Sequence, residues 1–131
     1  MTLTEALARL HAAGKPSWLP WMLDTQGDRI RSVESDGRIE CYGDEPGKGC
    51  PPSGMWPPDL ADPATRGALL DIAREAWGEP AAYASTESTE SDGADWGVFT
   101  SGDAIIVHRM PTEGDAIAAA IIAAAEALEA P

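Results

Sequence analysis

From Gly43 to Pro58 the chain reads GDEPGKGCPPSGMWPP, five prolines and four glycines in 16 positions. Proline has no backbone N–H and glycine resists ordering, so this stretch can be neither a helix nor a central strand. The segments on either side must fold as separate runs of regular structure joined by a long loop. A loop of this length in a compact domain is functional, mobile or an extended cover over a sheet. The whole chain, 131 residues with 44% apolar content, suits one domain over residues 1–131 with one core.

Helix signals stand at three places. Thr2 with Glu5 three positions on has capping-box spacing, Leu3, Ala6, Leu7 and Leu10 recur at the helical period, and Gly14 closes the run. Asp62 and Pro63 open a second helix that runs to Gly78 ahead of Pro80, with Leu69, Leu70, Ile72, Ala73, Ala76 and Trp77 on its apolar face. Thr112 opens an alanine-rich third helix to Glu129, whose narrow stripe of Ile117, Ile121, Ala124 and Leu128 suits close packing on a sheet.

Short strand candidates fill the intervals: Trp21 to Leu23, Arg29 to Val33 and Arg38 to Tyr42 in the first half, then Ala81 to Thr86, Asp95 to Thr100 and Ala104 to Arg109. Asp36-Gly37 and Ser101-Gly102-Asp103 supply the hairpin turns. The order αβββαβββα predicts an α+β fold, a three-layer α/β/α sandwich around one largely antiparallel central sheet. The predicted core is Leu7, Leu10, Ile30, Leu69, Ile72, Trp77, Ile106 and Ile121.

Charge separates the halves. From Glu75 onward there are 11 acidic residues against Arg109 alone, within a net charge of −13. Such a field repels nucleic acid, which is bound through Lys and Arg, and favours a basic partner or simply a soluble monomer. STESTESDGAD, residues 85–95, is polar, acidic and without apolar anchors, so residues 87–95 are expected to form a flexible acidic loop. No apolar run approaches the ~20 residues that cross a bilayer, and MTLTEALARL does not have the pattern of a secretory leader. A cytoplasmic protein without membrane contact is expected.

The residues offer little chemistry. GDEPGK has three residues between its glycines where a phosphate-binding loop has four, and no helix starts after Lys48. His11 and His108 are the only histidines, and the spacing of Cys41 and Cys50 matches no common zinc site, so both cysteines are read as free thiols. No nucleophile motif is present, and no catalytic residue, metal or other cofactor is expected. Of Trp18, Trp21, Trp56, Trp77 and Trp96, most suit core or edge cover, while Trp56 in the proline-rich loop is a candidate exposed anchor.

Residues 57–80, PPDLADPATRGALLDIAREAWGEP, resemble a group of small phage and prophage proteins of unassigned function. The likeness is carried by Pro58, Asp59, Leu60, Asp62, Pro63, Ala64, Thr65, Gly67, Leu69, Leu70, Arg74, Glu75, Ala76, Trp77 and Gly78. PWMLDTQGDRI upstream and PTEGDAIAAAIIAAAEAL downstream are weaker echoes. The resemblance implies a phage ABA-sandwich type domain and carries no catalytic residue.

The function expected from these readings is non-enzymatic: a phage or prophage accessory protein that binds a basic or nucleic-acid-binding host protein in the bacterial cytoplasm, as an acidic nucleic-acid-mimicking inhibitor of a defence or transcription protein. Trp56, Glu87, Glu90, Asp92 and Asp95 are its candidate contact residues. The alternatives are a small structural or housekeeping phage component and an enzyme with an unrecognised carboxylate site.

Overall fold

Capping residues set where the helices start. The structure, a computed structural model, describes residues 1–45, 47–87 and 95–129. Helix α1 spans Leu3–Ala12 behind Thr2, whose hydroxyl accepts from the Glu5 N–H at 3.1 Å. Helix α2 spans Pro63–Trp77 between the Asp62 cap and Gly78, which takes the left-handed φ of 65° that ends a helix without a Cβ clash. Helix α3 spans Glu113–Ala127, and the Thr112 hydroxyl accepts from the Asp115 N–H at 3.1 Å. The spacing signals for helix starts therefore act as local hydrogen bonds.

The described residues form an α+β fold of three helices and two small antiparallel sheets, not the single central sheet expected from the strand count. Strands β1 (Ile30–Val33) and β2 (Ile39–Cys41) make one hairpin, with Gly37 at φ 89° in its turn. Strands β3 (Tyr83–Glu87), β4 (Asp95–Phe99) and β5 (Ile105–Met110) make a second sheet in the order β3-β4-β5. Trp21 to Leu23 is not a strand. Leu23 and Asp24 make only isolated bridges, to Arg29 and Pro58, so the element order is αββαβββα around one short 3₁₀ turn at Pro52–Gly54.

Helix α3 is buried on most of its sides. It buries Gly114, Ala116, Ile117, Ala118, Ala120, Ile121, Ala124 and Ala125, positions spread around its circumference instead of along one stripe. A helix apolar on most sides belongs in an interior. It packs against β3, β4 and β5, close to a sheet as expected, and also against α1 and α2. Alanine permits this because short side chains let several neighbours approach. Gly114 is closer still: a Cβ there would lie 2.8 Å from Leu60 Cβ.

Leu7, Leu10, Ile30, Leu69, Ile72 and Ile121 are fully buried as expected, joined by Trp18, Met22, Ile39 and Val98. Two expected core residues differ. Ile106 is half-buried, and Trp77 is 37% exposed because its indole N–H reaches the Ala120 carbonyl at 2.9 Å and leaves the ring over the α2–α3 edge. The third sheet strand carries a bulge between the Trp96–Met110 and Val98–Val107 pairs, where Arg109 adopts φ 58°. Among the described residues no helix is long and apolar enough to cross a membrane.

The proline-rich loop is an extended cover. Its Cys50 pairs with Ile39 of β2, and its far end is tied to the 23–25 segment through Thr25 N–H to Pro57 O at 2.8 Å and Asp59 N–H to Leu23 O at 2.8 Å.

Candidate interaction surface

Among the described residues three non-glycine positions have positive φ, Trp21, Asp103 and Arg109, and the first is an exposed tryptophan. Trp21 adopts φ 75°, a left-handed conformation that costs a large L-residue free energy and persists only where neighbours enforce it. Two backbone bonds hold the segment, Trp21 N–H to Ile30 O at 2.9 Å and Ile30 N–H to Met22 O at 2.8 Å. Met22, the next residue, is fully buried, and that anchors the chain so that the indole points outward.

Arg29 completes the clamp. Its Nη1 donates to the Trp21 carbonyl at 2.8 Å and to Asp62 Oδ2 at 2.9 Å, while Nη2 donates to Asp62 Oδ1 at 3.3 Å. Asp62 in turn caps α2, accepting from the Thr65 N–H at 3.0 Å and from its hydroxyl at 2.7 Å. The buried Thr65 oxygen then accepts from Leu23 N–H at 2.8 Å. One charged network thus joins the helix cap to the backbone that presents Trp21. The Arg29 guanidinium and the Thr65 donors hold the Asp62 carboxyl below the ordinary aspartate range, against the opposing effect of burial.

Tyr42 stands beside the indole, its N–H donating to Arg29 O at 2.9 Å. The Trp21 and Tyr42 rings lie 5.7 Å apart at 36°, and the residues are 60% and 50% exposed. Trp56 is 56% exposed, the exposed position expected of it, directly before the Pro57 carbonyl bonded to Thr25. The structure therefore brings Trp21 and Tyr42 together, a pair that sequence reasoning passed over. No local signal separates an exposed from a buried tryptophan. Alternation about Met22 was the one hint available, and it works only once Met22 is known to be the inward residue.

The acidic candidates are placed differently. Glu87 and Asp95 face each other as the terminal pair of β3 and β4, so they are strand residues, not loop residues. Glu87 Oε2 accepts from the Arg109 N–H at 2.6 Å, a bond that satisfies the bulge. Glu90 and Asp92 lie outside the described residues. Other acids are also engaged by the chain itself: Asp103 with the Tyr83 hydroxyl, Glu129 with Arg9, and Glu113 with Arg66 at 3.8 Å.

Both cysteines are unbridged. Burial, with nearby Asp44 and Asp28, pushes the Cys41 thiol up to about 11, and burial raises Cys50 as well, so both stay protonated and weakly nucleophilic near neutral pH. Among the described residues no group of three or more His, Cys, Asp or Glu side chains is placed to hold a metal ion. No protein-family model, curated protein or solved structure matches this chain.

Proposed function

We propose that this protein is a non-enzymatic binding module that engages a basic protein through the Trp21–Tyr42 pair, with its net charge of −13 selecting and steering that partner. The observation that carries this reading is the left-handed, exposed Trp21, clamped by Arg29 at a position where its ring adds little to the core. Strained backbone clusters at functional sites, and a contact made by the exposed ring outside the chain is the role this reading gives it. Tryptophan and tyrosine bury large rigid areas at low entropic cost, and their faces accept guanidinium and ammonium groups.

The resemblance of residues 57–80 to small phage and prophage proteins of unassigned function supports placing the module among phage or prophage accessory proteins, and the net charge of −13 suits a basic, nucleic-acid-binding host protein as the partner. The engagement of Glu87, Asp103, Glu113 and Glu129 within the chain favours aromatic anchoring with acidic steering over a plain row of phosphate-mimicking carboxylates. Affinity capture from a bacterial lysate, comparing wild type with the Trp21→Ala/Tyr42→Ala double variant at low and high salt, tests the reading. A basic protein retained by wild type and lost from the variant supports it. Equal retention by both, or no basic protein retained by either, refutes it.

A further inference from the structure

In a chain of net charge −13, one cleft is walled by basic and titratable side chains. It has a volume of about 520 Å³ and lies between α1, the turn of the β1–β2 hairpin and the proline-rich loop. His11 and Ala8 line it from the helix, Asp36 and Arg38 from the turn, and Pro51 and Pro52 from the loop. This size, and this mixture of apolar wall with few polar groups, belong to small-molecule sites.

Two glycines make the arrangement possible. At Gly37 a Cβ would lie 2.1 Å from His11 Cε1, so the imidazole rests directly on the turn backbone. At Gly49 a Cβ would lie 2.7 Å from Arg38 Cγ, and here φ is not in the left-handed range, so space and not conformation demands the glycine. The Arg38 stem is thereby laid along the loop, and the residue lines the cleft.

The charges of the cleft are unevenly satisfied. Asp36 Oδ1 already accepts from the Arg38 N–H at 3.0 Å. Glu40, which feels the Arg38 charge, is bonded through its own oxygens to Arg31 at 2.9 Å and to the Gly47 N–H at 2.8 Å. Among the described residues no ion pair involves Arg38. On its other side His11 borders a second cleft of about 420 Å³, lined also by Lys15 and by Glu34.

We propose that the cleft binds a small organic anion, its carboxylate or phosphate head at Arg38 and His11 and a flat apolar body against Pro51, Pro52 and Ala8. A guanidinium is suited to either head, since its fork matches two oxygens at once. The site is independent of the Trp21–Tyr42 pair.

Titration of ¹⁵N-labelled protein with benzoate, phenyl phosphate and benzylamine tests this by amide shifts. Benzoate, phenyl phosphate or both should shift His11, Gly37 and Arg38 in a saturable manner, with Kd on the order of 1 mM for ligands this small. Which of the two binds more tightly identifies the head group. Benzylamine should leave these amides in place. Arg38→Gln, a substitution at an exposed position, should weaken binding by about fivefold or more, whereas Lys48→Gln, on the same loop but outside the cleft, should not change it. No saturable shift with either anion, equal shifts with benzylamine, or wild-type affinity in Arg38→Gln overturns the proposal.

Discussion

The helix α3 region and the segment from Pro16 to Pro58 are held together by different means. Around α3 the stabilising contacts are apolar, alanine and isoleucine against α1, α2 and the three-stranded sheet. In the other region, regular structure among the described residues is limited to a short hairpin and a 3₁₀ turn, and side chains bond to backbone where ladders are missing. Buried Asp24 Oδ1 accepts from Gln26 N–H at 3.0 Å and Asp28 N–H at 2.9 Å, and Asp44 Oδ2 accepts from Cys41 N–H at 2.9 Å. Packing that depends on area tolerates surface change, whereas a loop fold that depends on individual acceptors can hold backbone in unusual conformations. The aromatic pair lies in the second kind of structure, and the cleft lies between it and α1.

The contrast breaks first if the apolar region does not carry the larger energies. Ile121→Ala, at a fully buried position on α3, should cost about 2–5 kcal/mol, as should Leu69→Ala on α2. Denaturant midpoints that stay at the wild-type value would remove those residues from the core.

Next in size is the acceptor at Thr65. Thr65→Val keeps the shape but leaves Leu23 N–H without its partner, a cost of about 1–3 kcal/mol. Thr65→Ser should recover most of it. If valine and serine are equivalent in chemical unfolding, the network is not what holds this region.

The Asp62 pair sharpens the comparison through pH. Its carboxyl is lowered below the ordinary 3.8 in the folded chain, chiefly by Arg29. The stabilisation is therefore fully present above that ordinary value and is lost as pH falls through the lowered one. Glu40, lowered by Arg31, acts in the same direction. Asp62→Asn keeps a good helix cap while discarding the charge, so the drop in unfolding midpoint between pH 6 and pH 2 should be smaller than in wild type, with the Glu40 share remaining. An identical drop would show that the Arg29 contact has no linkage to folding.

The smallest effect is expected at Trp21. Trp21→Gly relieves a left-handed residue while losing an exposed ring, so the melting temperature should stay level or rise, with a gain of about 0–1 kcal/mol. A clear loss of stability would mean that the indole packs for the fold and would withdraw the strain argument behind the proposed binding role.

Local signals alone determined the helix starts and the end of α2, because caps act within one turn: Thr2, Asp62 and Thr112 each bind an amide three residues on, and Gly78 ends α2, whereas α3 stops at Ala127, short of the expected Glu129. The Asp36-Gly37 turn and the β4–β5 turn were legible for the same reason. What only the tertiary structure decided is how the elements combine. That α3 meets α1 and α2 as well as the sheet depends on which neighbours reach its alanines, and six strand-like segments do not specify how many sheets they form. The Trp21–Tyr42 pair joins residues on separate segments, and the cleft collects His11, Arg38 and Pro51 from three elements. Proximity across such distances in the chain is set by the packing of the whole core, which no short window of sequence contains.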